Sequence, residues 1–157
     1  MDIRRTDRPQ ELELDLPAAH SAGRMGRQLA RDFALSEGIP APEVETLEFV
    51  TGELLDNAVD HGGGDAAREV ADLKRDVRMR LLLQLGEGRW QVTVCDQGGG
   101  DAQAVRALVD PPDGFPDLED ERGRGFFLLK GMVDALEVGP TDTGDGLVFS
   151  ARRRYDP

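Results

Sequence analysis

The chain has 157 residues, 39% of them hydrophobic and 32% charged, and its formal net charge at pH 7 is -12. This length suits one domain with one core. The acidic balance disfavours direct binding to nucleic acid or to anionic membranes, since both need clustered Lys and Arg. The apolar runs fall far short of the roughly 18 residues that span a bilayer, and the N-terminus lacks the pattern of a secretory signal, so we expect a cytoplasmic protein.

The first elements in chain order are a strand and a helix. Residues 1–10 are polar and aperiodic, which predicts a flexible lead-in before a single domain over residues 11–157. Leucines alternate with acidic residues from Leu12 to Leu16, as in an edge strand with one buried face. His20 is interpreted as a surface or capping residue. The helix after it ends near Gly38, and its apolar positions are Ala22, Met25, Leu29 and Phe33.

A second helix is predicted from about Pro42 to His61, and three polar residues lie along one edge of its apolar stripe. Glu53, Asn57 and His61 share this edge because they are four residues apart. The side-chain oxygen of Asn57 suits a hard cation such as Mg²⁺, and Glu53 could polarise a water or a hydroxyl group. A plain amphipathic helix with an acidic outer face explains the stretch equally well, so the rest of the chain has to decide.

The middle of the chain predicts a β-hairpin. Residues 65–76 form a polar insert, either a short helical turn or a mobile loop. Two alternating segments, residues 79–85 and 90–95, are separated by a glycine-bearing turn and are expected to pair as antiparallel strands. Cys95 is the only cysteine and lies in the second of these strands, so it is interpreted as a buried structural thiol.

A carboxylate and a run of glycines follow the hairpin. Asp96 comes directly after a strand that we expect to be buried, where its carboxylate could accept a hydrogen bond from the exocyclic amine of adenine. Gly98 and Gly100 would let the backbone approach a base and a sugar closely. Asp101 is predicted to cap a short helix that ends near Val109.

The last third of the chain predicts a flap, a helix and two strands. Residues 110–122 are rich in Pro and acidic residues and suit a flap. Gly123-Arg124-Gly125 precedes a helix over residues 126–133, whose first N–H groups could hold phosphates; a plain turn into a helix is the alternative. Strands are expected over residues 135–138 and 147–151, and the run Arg152–Arg154 is interpreted as a solvated strand end.

The predicted order is β-α-α-β-β-α-loop-α-β-β, in which helices and strands are segregated rather than strictly alternating. This order predicts an α+β fold, a two-layer α/β sandwich in which helices cover one face of a mixed, mostly antiparallel sheet.

Three motifs, in this order and with a strand pair between the first two, resemble those of the GHKL ATPases. They are E-x-x-x-N-A-x-x-H from Glu53, D-x-G-x-G from Asp96 and G-x-G-x-x-L from Gly123. With a strand that leads straight into two helices, and at this small size, the chain is most similar to the stand-alone anti-sigma factor serine/threonine kinases. The likeness covers about residues 11–152 and implies the GHKL fold.

The resemblance also implies roles for particular residues. Glu53 matches the general base, Asn57 the Mg²⁺ ligand and Asp96 the aspartate that recognises adenine. Residues 110–122 match the ATP lid. The remaining residues implied to bind ATP are His61, Gly98, Gly100, Arg122, Gly123, Arg124 and Gly125.

Three features depart from the family pattern. Gly99-Gly100-Asp101 replaces a more usual ending of the glycine loop, and Leu147 stands where a threonine that contacts the adenine side is common. The insert at residues 65–76 is longer than compact members require. None of these departures removes the implied metal or phosphate ligands.

The function that the resemblance implies is an ATP- and Mg²⁺-dependent kinase that phosphorylates a Ser or Thr of a STAS-type anti-anti-sigma protein and binds a sigma factor. Pairing into a homodimer fits the family. Two alternatives stay open: a non-catalytic switch in which the nucleotide only shapes a partner-binding surface, and a detached histidine-kinase catalytic domain.

Overall fold

The computed structural model of the chain describes residues 10–98 and 100–157. The predicted lead-in over residues 1–10 lies outside the described residues except for Gln10, which belongs to the first strand. The elements, in chain order, are β1 (Gln10–Pro17), α1 (His20–Ser36), α2 (Ala41–His61), a short 3₁₀ helix (Val70–Asp72), β2 (Arg78–Gly86), β3 (Arg89–Cys95), α3 (Ala102–Val109), α4 (Glu121–Lys130), β4 (Ala135–Pro140) and β5 (Leu147–Arg154).

The strands form one five-stranded sheet in the order β1-β2-β3-β5-β4. Each described pairing is antiparallel, including the predicted hairpin of β2 and β3, in which Leu83 lies opposite Val92. The strands alternate between buried apolar and more exposed side chains, because successive side chains point to opposite faces of a sheet. The helices cover the apolar face, and the α+β sandwich predicted from the sequence is confirmed.

Helix α1 buries a stripe of small residues that shares only Ala22 with the predicted apolar positions. Of the other predicted apolar positions, Met25 and Leu29 are 55% and 41% exposed. The buried residues of α1 are Ala22, Gly23, Gly26, Ala30 and Ala34. A Cβ atom built on Gly26 would lie 2.7 Å from Cδ1 of Leu16, so the helix backbone runs close to β1. This close approach turns Met25 and Leu29 away from the sheet.

The insert after α2 covers the beginning of α1. The backbone N–H groups of His20 and Ser21 donate to the carbonyls of Ala67 and Arg68, at 2.9 Å each. Ala19 provides no side-chain cap to α1, so the insert supplies the acceptors that the first helical turn needs. Of the two expectations for this insert, the structure has the short helical turn, with a reciprocal cap between Glu69 and Asp72.

The interpretation of Arg153 needs correction. Arg153 was interpreted as part of a solvated strand end, but its guanidinium donates from Nε to Oε1 of the buried Glu43 at 2.5 Å. Glu43 also accepts a hydrogen bond from Nε1 of the buried Trp90, at 2.9 Å. These contacts tie α2 to the ends of β3 and β5.

No helix in the described part of the chain combines the length and the apolar character needed to cross a membrane.

Candidate functional site

Asn57 and Arg122 form the centre of the candidate site. Both side chains are partly buried, and Nε of Arg122 donates to Oδ1 of Asn57 at 2.8 Å. The guanidinium lies 5.6 Å from the ring centroid of Phe126 and 5.8 Å from that of Phe149, and these two rings are stacked. Among the described residues, Nδ2 of Asn57 and Nη2 of Arg122 are buried without a hydrogen-bond partner. Buried donors of this kind need an acceptor.

Asp96 is fixed at the junction of β3 and β5. It is 5% exposed, and its Oδ1 accepts hydrogen bonds from the backbone N–H groups of Leu147 at 3.0 Å and Gly98 at 3.1 Å. Its own N–H donates to the carbonyl of Leu147 at 2.9 Å. Leu147 therefore serves the site through its backbone, which does not depend on the side chain at this position. Within residues 10–98 and 100–157, Oδ2 of Asp96 accepts no hydrogen bond.

Glycines bring the end of α2 against the loop after Asp96. A Cβ atom at Gly62, directly after α2, would lie 2.9 Å from Cβ of Asp96. A Cβ atom at Gly98 would lie 2.6 Å from Cα of Gly62, and one at Gly100 would lie 3.0 Å from Cδ1 of Leu147. Side chains would not fit at Gly62 and Gly98 without a backbone shift. The D-x-G-x-G motif and the helix that carries Glu53 and Asn57 therefore meet directly.

Helix α4 begins earlier than predicted, which changes the geometry of the G-x-G motif. The helix begins at Glu121 with Asp120 as its cap, and Oδ1 of Asp120 accepts from the N–H of Gly123 at 3.0 Å. Gly123 and Gly125 lie inside the first turns of α4 rather than before it. In this structure the N–H of Gly123 is thus already bonded, contrary to the expectation that it is free for a phosphate.

The two arginines of this segment point to different places. Arg122 faces Asn57, whereas the exposed Arg124 donates from Nη1 to the carbonyl of Leu118 at 3.2 Å. Arg124 is therefore turned toward the flap. The flap also ends earlier than predicted, since residues 121 and 122 are helical.

Burial sets the protonation behaviour of two site residues. Burial raises the pKa of the Glu53 carboxyl group, and the nearby Asp56 raises it further. Burial lowers the pKa of His61, and the positive charge of Arg122 adds to this effect. This burial is partial, since His61 lies at the end of α2, on the predicted edge of the helix, and much of it still faces solvent. A half-buried carboxyl group with a raised pKa is suited to proton transfer near neutral pH.

One cluster beside the site did not emerge from the sequence. His20, interpreted as a surface or capping residue, contacts Asp56 with Nδ1 at 3.2 Å and Asp60 with Nε2 at 2.8 Å. The spacing of Asp56 and Asp60, one helical turn apart, was the available signal, since such a pair forms one acidic patch on a helix. The cluster joins the beginning of α1 to the outer side of α2.

Two observations indicate that Asn57 and Arg122 fit a metal-bound nucleotide. A cationic guanidinium already lies against Oδ1 of Asn57, and carboxamide oxygens are ligands that Mg²⁺ accepts. The orphaned N–H groups of Asn57 and Arg122 are suited to acceptors such as phosphate oxygens. In the described part of the chain, no group of three or more His, Cys, Asp or Glu side chains could hold a metal ion. Asn57 would therefore hold the metal together with oxygens from phosphates and water.

The fold and its family can now be stated. The five-stranded antiparallel sheet with helices on one face is a GHKL-like fold. The sequence matches the model of the histidine kinase-like ATPase domain over residues 16–150, and the chain belongs to that family. An ATPase domain of this kind implies ATP binding.

Comparison with individual proteins adds a fold relative. A chain in the crystal structure of the SiaB-SiaC complex from Pseudomonas aeruginosa matches with a TM-score of 0.63, 14% sequence identity and coverage of 94% of this chain and 89% of that chain. At this identity the likeness is one of fold. The curated proteins contain no significant match to this chain.

Proposed function

We propose that this protein is an ATP-dependent serine/threonine kinase of the anti-sigma factor type. It would phosphorylate a Ser or Thr of a STAS-type anti-anti-sigma protein and bind a sigma factor. The observation that carries the proposal is the meeting of three distant segments at one point. Asn57 on α2 is bonded to Arg122 on α4, and the end of α2 lies against the loop of Asp96.

Each side of this site has a separate task in ATP binding. Oδ1 of Asp96 is held by two backbone N–H groups, which leaves Oδ2 to accept from the exocyclic amine of adenine. Gly98 and Gly100 would lie beneath the sugar, and Gly123 and Gly125 beneath the phosphates. Arg122 and Arg124 are the cations proposed to reach the phosphates, and of these Arg122 faces Asn57. His61, whose lowered pKa favours the neutral imidazole, is proposed to lie near the nucleotide.

Glu53 would act as the general base. It would take the proton from the partner's hydroxyl group as that oxygen forms a bond to the γ-phosphorus, while the bond from phosphorus to the ADP oxygen breaks. Its raised pKa keeps the carboxylate basic enough for this transfer. Mg²⁺ held by Asn57 would neutralise charge on the phosphates.

The proposed partners are proteins. A net charge of -12 fits a regulator that acts on a protein rather than on DNA. The fold relative from Pseudomonas aeruginosa was crystallised in a complex of two named proteins, SiaB and SiaC. Two exposed aromatic residues lie in this region, Phe115 in the flap and Phe127 on α4, and they are 78% and 51% exposed. They would offer contact area to a partner that approaches the phosphates.

The test is transfer of label from γ-labelled ATP to purified STAS-domain proteins from the same organism. Glu53→Gln is expected to lower the rate by about two orders of magnitude or more while ATP affinity stays within about twofold, because it removes only the base. Glu45→Gln, an exposed residue of the same helix, is the matched control. Acid-stable label is expected on the partner, as for phosphoserine and phosphothreonine.

Other outcomes would replace the proposal. ATP binding without label transfer to any STAS-type protein would favour the non-catalytic switch. Acid-labile label would favour a detached histidine-kinase catalytic domain. An unaltered rate in the Glu53→Gln protein would remove Glu53 from the role of base.

A further inference from the structure

The face of the sheet opposite the helices carries a cavity that the nucleotide site does not use. The cavity has a volume of about 520 Å³ and is lined by residues of β2, β3, β5 and β4, including Gln84, Arg89, Gln91, Arg152 and Arg154, and by one acidic residue, Asp134. It lies at the beginning of β3, whereas Asp96 follows the end of that strand, about 20 Å away at the rise of a strand. The two sites are therefore separate.

Arginine side chains dominate this cavity although the chain as a whole is acidic. Arg89 on β3 and Arg154 on β5 are direct cross-strand partners, and Arg152 lies opposite Gln91. Like charges directly opposite each other destabilise a sheet. Such a pair is costly for the free protein and becomes favourable when an anion lies between the two guanidinium groups.

The acidic groups nearby do not neutralise this pair. Glu137 forms an ion pair with Arg152 at 2.9 Å, and the carboxylate of Asp134 accepts from the backbone N–H of Arg154. Among residues 10–98 and 100–157, the side chains of Arg89 and Arg154 form no ion pair within 4.0 Å. Two guanidinium groups on this face therefore lack a partner.

A glycine makes room for one of these arginines. A Cβ atom at Gly86, the cross-strand partner of Arg89, would lie 2.6 Å from Nε of Arg89. Gly86 has no positive φ, so its backbone conformation does not require glycine. The missing side chain lets the Arg89 side chain lie across β2, at the wall of the cavity.

We propose that this cavity, lined by Arg89, Arg152 and Arg154, binds an acidic segment of a protein partner. The planar fork of an arginine binds a carboxylate through two hydrogen bonds. The cavity crosses four adjacent strands, a width of about 14 Å at normal strand spacing, which accommodates several residues of an extended peptide. The amide groups of Gln84 and Gln91 donate to Glu11 and Ser150, so their oxygens remain for peptide N–H groups.

A polyanion such as nucleic acid fits this surface less well. Nucleic acid binding needs many phosphate contacts, and a few arginines on one sheet face give only a short track of them. A segment with a few carboxylates is neutralised by the cavity itself. This proposal does not depend on the nucleotide site, and its test is done without ATP.

The test is fluorescence anisotropy with labelled hexaglutamate, with hexaglutamine and hexathymidylate as comparison probes. Hexaglutamate is expected to bind the wild-type chain, and Arg89→Gln/Arg154→Gln is expected to weaken binding by about tenfold or more. The control variant Arg68→Gln/Lys74→Gln changes the net charge by the same amount at exposed residues outside the cavity. Its affinity for hexaglutamate is expected to stay within about twofold of the wild-type value. The melting temperature of the arginine variant should equal or exceed that of the wild type, because a like-charge pair is removed.

Several outcomes would overturn the proposal. These are no binding of hexaglutamate, equal weakening in both double variants, and tighter binding of hexathymidylate than of hexaglutamate. If the wild type sediments as an oligomer and the arginine variant as a monomer, the cavity binds a second copy of the chain instead. ATP binding is measured on the same proteins and is expected to be unchanged, which separates this proposal from that of the kinase.

Discussion

Glu53 is the residue whose environment gives the sharpest expectation for pH dependence. Burial raises the pKa of its carboxyl group, and Asp56 one turn along α2 adds to the effect. A general base must be ionised, so the transfer rate should rise as the pH increases through this raised pKa and fall below it. The profile of kcat/KM against pH measures the pKa in the free enzyme. Glu53→Gln should give a low rate without this limb, and the same limb in the variant would assign it to another group.

Glu43 illustrates a charged residue whose role is structural. Its carboxylate accepts from Trp90 at 2.9 Å and from Arg153 at 2.5 Å in a site that excludes most solvent. Glu43→Ala should lower the free energy of unfolding by about 3 kcal/mol, because both donors lose their acceptor. Urea denaturation measures this loss. Glu45→Ala, on the exposed side of α2, should change it by less than about 0.5 kcal/mol. Equal losses in the two variants would mean that the contacts of Glu43 with Trp90 and Arg153 do not stabilise the fold.

At the scale of elements, helix α1 offers a matched pair of glycines. A Cβ atom at Gly26 would lie 2.7 Å from Cδ1 of Leu16, whereas one at Gly23 would lie at an ordinary 3.7 Å from Cε of Met79. Gly23→Ala should stabilise the protein by about 0.5–1 kcal/mol through helix propensity. Gly26→Ala should lose this gain and cost about 1 kcal/mol net, because Leu16 must move in a packed core. Thermal unfolding of both variants measures the difference, and equal shifts would show that α1 can move away from β1.

The same helix shows what periodicity could and could not predict. Alternation and helical spacing gave the elements and the fold, because they report which residues avoid water. Met25 and Leu29 belong to the apolar helical pattern because large apolar residues dominate such patterns, although the buried stripe consists of Gly and Ala. Close packing of a helix on a strand selects for small residues, and a rule based on hydrophobicity does not detect it.

The candidate site was predictable as a set of motifs but not in its contacts. Asn57 and Asp96 follow from their places at a helix edge and a strand end. Which of Arg122 and Arg124 faces Asn57 depends on where α4 begins. Side chains two residues apart on a helix point about 200° apart, so only one of the two can face the site. That beginning depends on Asp120 as a cap, within a segment so acidic that several residues could have served. The bond from Arg153 to Glu43 joins residues 110 positions apart, which no local pattern can reveal.

For the whole molecule, the site joins segments that are distant in sequence, so a bound nucleotide should stabilise the complete fold. Ligand at about 100 times its Kd adds about 2.7 kcal/mol to the free energy of unfolding, which raises the Tm of a chain of this size by about 5–10 °C. Asp96→Asn should abolish this shift, because an amide that turns its NH₂ toward adenine no longer accepts from the exocyclic amine.

The control for this shift is Asp101→Asn, five residues further along the same loop. Asp101 caps α3 through the N–H of Gln103 at 2.9 Å and is exposed. Asn is an equally good helix cap, so this variant should keep both its Tm and the shift with ATP and Mg²⁺. Calorimetric titration of the same proteins gives the affinities directly. An ATP-dependent shift of full size in Asp96→Asn would mean that the base is recognised elsewhere, and loss of the shift in both variants would mean that the loop as a whole, rather than one carboxylate, holds the nucleotide.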